Sequence, residues 1–239
     1  MCRMIAAVGR LDMPALVDAL RAMASNANDG YDHEFRGEGS DFSHDCGWGV
    51  VFRDHGRLVR KRSATSCLGD PEFDALSGVS TDLAVLHARR TPDRSTIDVC
   101  NSHPFIETWR GEVWAFCHNG AVNDLGQLTI DDSLVSSGGV DSELLFRHLL
   151  SALDTGRVDD SVAEILGAVH DFSCLNCFLA TSGRVIAHAR LSPGTPRPRY
   201  YTMWRGRGDG FSLVSSEPLE AVGATWSAMA DGTALVLRP

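Results

Sequence analysis

Short hydrophobic runs with the spacing of β-strands alternate along the chain with turn-forming residues, and they predict a protein built mainly from strands. The pattern predicts a hairpin around Asp54-His55-Gly56, and a second strand pair that joins 83–89 to 112–117. It also predicts a tight turn at Ser182-Gly183. The predicted strands lie at residues 3–9, 47–52, 57–60, 83–89, 112–117, 175–181, 184–189, 199–204, 211–215 and 233–237.

Apolar residues at helical spacing predict three helices. The first begins after Asp12, which can cap it, and carries Pro14 in its first turn. The others are predicted at about 141–153 and 160–171. Strands in the first and last thirds with helices between them favour an α+β fold, in which helices cover two sheets. A chain of 239 residues without a linker-like stretch is expected to form a single domain, 1–239.

Composition places the chain among ordinary globular proteins, with 44% hydrophobic and 22% charged residues. No apolar run approaches the roughly 20 residues of a membrane helix, and the N terminus lacks an export signal, so we expect no membrane partner and a cytoplasmic location. The net charge of −9 repels phosphate backbones, which argues against a nucleic-acid partner. Seven scattered cysteines do not suggest a disulfide framework.

Cys2 is the first candidate for chemistry. Removal of Met1 would make it the N-terminal residue, with an α-amino group whose pKa near 7.7–8.0 leaves part of it neutral at pH 7. A neutral amine beside a thiol can act as its general base. Position alone favours a plainer role, since a small apolar residue at the start of a strand is common.

Four further motifs change that balance. They are His-x-Arg ending at Arg89, Asn-x-His-Pro containing His103, His-Asn-Gly containing Asn119 and Gly120 in a tight turn at a strand end, and Asp-Ser-Glu beginning at Asp141. Each has a structural explanation by itself: a solvated strand end, a turn before proline, a hairpin dipeptide and a helix N-cap. Together with Cys2, their order along the chain is specific.

This series of motifs resembles the class II glutamine amidotransferases, which are N-terminal nucleophile hydrolases, and most closely their small stand-alone members. Other segments extend the resemblance over nearly the whole chain: Gly47-Trp48-Gly49, Asn176-Cys177-Phe178-Leu179, Ala187-His188-Ala189 and Ser215-Ser216-Glu217-Pro218-Leu219. The resemblance implies a four-layer αββα sandwich of two mainly antiparallel sheets, in agreement with the predicted elements. It implies no cofactor and no metal.

Carried over position by position, the resemblance implies a role for each residue of the site. Cys2 is the nucleophile, and its α-amine is the general base. Asn119 and Gly120 form the oxyanion hole. The implied substrate contacts are Arg89 for the α-carboxylate, Asp141 for the α-ammonium group, His103 as a lining residue and Thr91. Thr91 stands one place earlier than the equivalent family threonine, which puts its contact with substrate in question.

Two activities share the chemistry that this resemblance implies. The first is cleavage of L-glutamine to glutamate and ammonia, through a glutamyl thioester, with the ammonia passing to a separate partner enzyme. The second is hydrolysis of γ-glutamyl amides that releases a larger amine, which the absence of a fused synthase domain favours. Segments 30–46 and 192–209 are predicted to frame the pocket for that amine.

A metal-binding or redox protein is a third alternative, suggested by the Cys-x-x-Cys of Cys174 and Cys177. The cysteine and histidine spacings miss the usual zinc-finger patterns. In a strand, residues three positions apart also point to opposite faces, so these two thiols are not expected to meet.

Overall fold

The computed structural model describes residues 2–134 and 139–239. Its strands, β1 to β12, are Cys2–Gly9, Trp48–Asp54, Arg57–Ser63, Leu83–Arg89, Phe105–Trp109, Glu112–Val122, Phe172–Thr181, Arg184–Ala189, Trp204–Gly208, Phe211–Ser215, Thr225–Ala228 and Thr233–Leu237. Its α-helices, α1 to α5, are Met13–Ala24, Pro71–Asp74, Asp141–Ala152, Val158–Ala168 and Pro198–Tyr201. Short 3-10 turns connect several of them.

Two antiparallel sheets form the centre of the fold. The first has seven strands in the order β11-β9-β10-β1-β4-β2-β3, and the second has five in the order β12-β8-β7-β6-β5. The predicted pairing of 83–89 with 112–117 is wrong, because β4 pairs with β1 and β2 while β6 pairs with β5 and β7 in the other sheet. β4 is buried along its whole length, so it has no alternation of polar and apolar residues that would indicate which strands pair with it.

Three hydrophobic clusters separate four layers. α1 packs on the outer face of the first sheet, and α3 and α4 pack on the outer face of the second. Between the sheets, alternate residues of β1 such as Met4 and Ala6 meet Cys117 and Phe178 of the second sheet. This arrangement confirms the predicted αββα sandwich. Asp12 caps α1 as predicted, accepting a hydrogen bond from the Ala15 N–H at 3.1 Å.

The structure corrects two further details of the sequence interpretation. Residues 199–204, predicted as a strand, contain the short helix α5, which Pro198 favours by fixing φ in its first turn. Asn119 and Gly120 do not form a tight turn at a strand end, because β6 continues to Val122 with a bulge after Ala121. That extension keeps Asn119 and Gly120 inside the second sheet.

The helices in the described part of the chain are too short or too polar to cross a lipid bilayer.

Candidate active site

Cys2 begins β1, a strand in the interior of the first sheet, and its side chain is buried between the two sheets. The antiparallel register places it directly opposite Arg89, the last residue of β4. The Cys2 nitrogen donates a hydrogen bond of 2.7 Å to Oδ1 of Asn119, which comes from β6 of the other sheet. The three residues therefore meet at one edge of the space between the sheets.

The surroundings of Cys2 favour its thiolate form. Burial opposes ionisation, but the positive charge of the amino terminus, His87 and the backbone N–H of Arg90 together lower the pKa of the thiol to about 6. The other described cysteines behave differently: burial raises the pKa of Cys67 to about 12 and raises that of Cys117 and Cys177 well above its usual value. Among the described cysteines named here, Cys2 is thus the one whose pKa is lowered, which increases its thiolate fraction at neutral pH.

Two buried histidines lie beside the thiol. The rings of His87 and His103 pack with centroids 4.3 Å apart. Burial and the positive charges of neighbouring groups, led by His87, lower the pKa of His103 well below its usual value. Within the described residues, neither ring nitrogen of His103 has a hydrogen-bond partner. His103 is therefore a neutral ring in the cavity wall, while His87 contributes to the ionisation of Cys2.

Asn119 and Gly120 are consecutive residues of β6 with unusual surroundings. Asn119 is fully buried, and its Nδ2 donor finds no acceptor among the described residues, which is costly unless a ligand supplies one. Gly120 has φ +149°, and a Cβ atom there would stand 1.8 Å from the carbonyl oxygen of Cys174. The strand therefore requires glycine immediately after the asparagine.

Arg89 lies at the cavity wall with its guanidinium held by neutral groups. Its two terminal nitrogens donate to the carbonyl oxygen of Thr96 at 3.1 Å and to the Thr96 hydroxyl at 2.9 Å. Within the described chain it makes no salt bridge, so its charge remains available to an anion. Thr91 donates its hydroxyl to the Asp93 carbonyl at 3.2 Å and lies 3.3 Å from the Thr96 hydroxyl, which makes it part of the same loop.

Asp141 starts α3, and it does not cap the helix as its sequence position suggested. Val140 is the N-cap, and Oδ2 of Asp141 accepts a hydrogen bond of 2.9 Å from the Val122 N–H in the bulged end of β6. Next to it, Ser142 lies 2.9 Å from Nδ1 of His118, whose Nε2 lies 3.0 Å from the Cys174 carbonyl oxygen. These contacts fix the start of α3 against the strand that carries Asn119.

A cavity of about 540 Å³ brings six of the seven predicted residues together. The seventh, Asn119, does not line the cavity and is connected to it through the hydrogen bond between its Oδ1 and the Cys2 nitrogen. The six are Cys2, Arg89, Thr91, His103, Gly120 and Asp141.

Met1, whose removal was predicted, lies outside the described residues. Lining residues that were not predicted individually include Thr96, Ser142 and Ser173.

Of the two segments predicted to frame the pocket, 192–209 contributes Arg197 and Tyr201 to the wall. Segment 30–46 does not line the cavity itself but packs against residues that do. Its Phe35 and Phe42 stack with ring centroids 3.9 Å apart, and they support the guanidinium groups of Arg197 and Arg90 at 4.5 and 4.2 Å. The segment therefore shapes the pocket by holding two arginines in place.

Cys174 and Cys177 are separated as the strand pattern predicts. Cys174 belongs to the cluster around Phe42 and Tyr200, and Cys177 belongs to the cluster beneath α3 and α4. In the parts of the chain that the structure describes, no group of three or more histidine, cysteine or acidic side chains is arranged to hold a metal ion.

Similar proteins include enzymes with this layered fold. The chain aligns over its whole length with the glutamine phosphoribosylpyrophosphate amidotransferase of B. subtilis, with a TM-score of 0.74 and 17% identity, covering 99% of this chain and 47% of that one. It thus spans about half the length of that enzyme. A glutamine aminotransferase class-II domain protein of Silicibacter pomeroyi matches with a TM-score of 0.63 and 18% identity, covering 99% and 95% of the two chains. At these identities the likeness concerns the fold.

Comparison of sequences identifies the family to which the chain belongs. A Haemophilus influenzae protein assigned to the glutamine amidotransferases is 26% identical over 215 residues, which cover 79% of this chain and 72% of that protein. Residues 19–190 match the profile of the glutamine amidotransferases class-II, a segment that includes Arg89, Asn119 and Asp141 and begins after Cys2. The chain belongs to the class II glutamine amidotransferases.

Proposed function

We propose that residues 1–239 form one catalytic domain that cleaves the γ-carboxamide of a glutamyl substrate with Cys2 as nucleophile. One observation carries the proposal. The Cys2 nitrogen is bonded to Oδ1 of Asn119, while Nδ2 of the same side chain is buried without a partner among the described residues. A single asparagine can thereby orient the α-amine of a processed Cys2 and leave a donor for the oxyanion that forms beside it.

The reaction proceeds in two halves. The α-amine takes the thiol proton, the sulfur attacks the γ-carbonyl carbon, and Asn119 Nδ2 and the Gly120 N–H stabilise the oxyanion. The α-ammonium group then gives its proton to the leaving nitrogen as the C–N bond breaks, which releases ammonia or an amine and leaves a glutamyl thioester. Water attacks the thioester with the amine again as base, and glutamate and the free thiol are restored.

Arg89 and Asp141 fit the two charges of the glutamyl head group. Both line the cavity that contains Cys2. The guanidinium of Arg89 can bind the α-carboxylate, and the carboxylate of Asp141 can bind the α-ammonium group. This pair selects a free glutamyl head group over a glutamine within a peptide, where both charges are lost to amide bonds. His103 and Thr91 are proposed as further lining contacts.

The test is chemical. The protein should be incubated with L-glutamine while glutamate and ammonia are measured, and acid-quenched samples should be examined for a glutamyl adduct on Cys2 by mass spectrometry. We expect turnover and the adduct in the wild type and in Cys100→Ala, which removes a half-buried thiol elsewhere, and neither in Cys2→Ala. Turnover that persists in Cys2→Ala would contradict the proposal.

The size of the cavity supports hydrolysis of larger γ-glutamyl amides as a second candidate. Its volume of about 540 Å³ lies within the roughly 300–1,000 Å³ that accommodates drug-sized ligands, more than glutamine needs. Ser173, Arg197 and Tyr201 provide wall beyond the head-group residues. Rates for glutamine and for γ-glutamyl alkylamides separate the two activities: a preference for glutamine favours ammonia delivery to a partner enzyme, and a preference for the amides favours hydrolysis.

A further inference from the structure

Arg197 differs from the neighbouring arginine in a way that points to a ligand. It lines the cavity, and its guanidinium lies 4.5 Å from the centre of the Phe35 ring. Within the described residues, no carboxylate forms a salt bridge with it. Arg199, two positions along, forms an ion pair of 2.7 Å with Asp32 and approaches Glu34 at 3.8 Å. One short segment thus carries a paired arginine outside the cavity and an unpaired one in its wall.

The support beneath Arg197 is built from packed groups. Phe35 is buried and stacks on Phe42, and both rings meet Tyr200 edge to face. The carbonyl oxygen of Tyr200 accepts a hydrogen bond of 3.0 Å from Arg3, the residue after Cys2. These contacts connect the Arg197 segment to the strand that carries the nucleophile, and they fix the guanidinium at low entropic cost for binding.

Glutamine has no charged group left over to pair with Arg197. If the substrate α-carboxylate binds Arg89 and its α-ammonium group binds Asp141, the head group is neutralised. The thiolate and α-ammonium group of a processed Cys2 also balance each other. Arg90 also lines the cavity, and its guanidinium donates to the Ser43 carbonyl oxygen at 2.9 Å and lies over the Phe42 ring. Glutamine has no further charge to offer, so the cation at Arg197 matches an additional anionic group on the leaving amine.

We infer that the amine released from the γ-glutamyl group carries a carboxylate or a similar anion, which Arg197 binds. This inference rests on the proposed function, because it assigns the leaving-group side of the same site. A charge-assisted hydrogen bond at an exposed arginine is expected to favour such a substrate by about tenfold over a neutral one of the same shape.

The experiment compares γ-L-glutamylglycine with γ-L-glutamylglycinamide, which differ in that one charge. We expect kcat/KM to be about tenfold higher for the acid in the wild type and in Arg199→Gln, and nearly equal for the two compounds in Arg197→Gln. Equal values in the wild type, or a preference that survives Arg197→Gln, would overturn the inference.

Binding to the Cys2→Ala variant separates this inference from the proposed function. Calorimetric titration with both compounds should show tighter binding of the acid, and the added change Arg197→Gln should remove the difference. If the preference is found although no compound is cleaved by the wild type, the proposed function fails and with it the assignment to a leaving amine, while Arg197 is still identified as the residue that binds the anion. If Cys2→Ala binds the acid no more tightly than the amide, the inference fails whether or not cleavage occurs.

Discussion

Cys2 and Arg3 are neighbours on β1, yet they lie in opposite kinds of environment. On the Cys2 side, the Nδ2 donor of Asn119 and both ring nitrogens of His103 are buried without partners in the described chain. On the Arg3 side, the terminal nitrogens of Arg3 contact Glu217 at 2.9 Å, His33 at 3.0 Å and the Tyr200 carbonyl at 3.0 Å. The Arg3 side joins charged groups in an ion pair within the protein, whereas the unpartnered groups on the Cys2 side lie at or beside the cavity.

This contrast shows how buried polar residues that stabilise the fold can be distinguished from those that can bind a ligand. Glu217 is fully buried and also accepts a hydrogen bond from Asn28 at 2.7 Å, while Arg3 lies over the Tyr200 ring at 3.9 Å. Most polar atoms of this network are used within the protein, although Arg3 Nε and Glu217 Oε1 have no hydrogen-bond partner in the described chain, and the ion pair and hydrogen bonds connect the segments around it. An orphaned donor costs stability in the empty site, so its presence beside a thiol of lowered pKa indicates a site that a ligand completes.

The largest effect is expected at Cys2. Cys2→Ala should reduce turnover by at least about 10⁴-fold, because removal of a nucleophile leaves only the other contributions to catalysis. Its unfolding free energy should stay within about 1 kcal/mol of the wild type, since a small residue replaces another in a buried strand. Steady-state kinetics and urea denaturation measure the two quantities.

A second variant tests the same residue through its nitrogen. An N-terminal extension that keeps the Cys2 amine in a peptide bond should abolish turnover and leave the fold intact. Mass spectrometry of the N terminus must accompany the assay. Full activity in a protein with a confirmed extension would exclude the α-amine as general base.

Glu217 should show the reverse pattern, a large effect on stability. Glu217→Gln leaves the buried Arg3 without its counter-charge, and breaking such a pair typically costs about 3–5 kcal/mol of unfolding free energy. The double variant Arg3→Met with Glu217→Gln should recover part of this loss, because no unpaired charge remains. A loss below about 1 kcal/mol in the single variant would show that the network contributes little.

The same network predicts how stability depends on pH. Burial opposes ionisation of Glu217, but the charge of Arg3 and hydrogen bonds from His33 and Asn28 outweigh it and lower its pKa below the ordinary 4.5. A lowered carboxyl pKa adds stability that is fully present above pH 4.5 and is lost as the pH falls through the folded-state value. Urea titrations between about pH 3 and 7 should show this loss in the wild type and a smaller one in Glu217→Gln.

Asn119 is expected to give the next largest effect on catalysis. Asn119→Ala removes an oxyanion donor, which typically costs about 3 kcal/mol of barrier, or roughly a hundredfold in kcat. Asn119→Asp keeps an acceptor for the Cys2 nitrogen but cannot donate, so it should be about as slow as the alanine variant. Near wild-type kcat in Asn119→Asp, with the fold checked by thermal melting, would mean that the side chain only orients the amine.

The sequence predicted the site better than the arrangement of strands around it. Cys2, Arg89, Asn119 and Asp141 belong to motifs whose order is typical of the family. Three of them line one cavity, and Asn119 lies behind it, bonded to the Cys2 nitrogen. The partner of β4 could not be predicted, since a strand buried on both faces has no polar alternation to mark its edges. Pairing in a sheet depends on contacts between distant segments.

Segment 192–209 was predicted to frame the pocket, but the particular contribution of Arg197 could not be predicted, for a related reason. Its local sequence, rich in proline and arginine, is typical of a solvated loop. Its place in the cavity wall depends on Phe35, far away in the chain, and on the bond between Arg3 and the Tyr200 carbonyl. The alternation that suggested a strand at 199–204 had a different origin, because Tyr200 and Tyr201 are consecutive and both buried in α5.

The smallest expected effect concerns His87, and it tests whether the Cys2 side of β1 is tuned for reaction. The rate of alkylation of Cys2 by iodoacetamide should rise with pH and reach half its maximum near pH 6, since the thiolate is the reactive form. His87→Ala should move the midpoint upward, because His87 lowers the pKa of the Cys2 thiol. Mass spectrometry of the Cys2 peptide follows the reaction, with Cys100, whose pKa is raised chiefly by Asp98, as an internal reference. A wild-type midpoint near 9, or no movement in His87→Ala, would mean that the histidine pair serves packing, as the paired groups around Arg3 do.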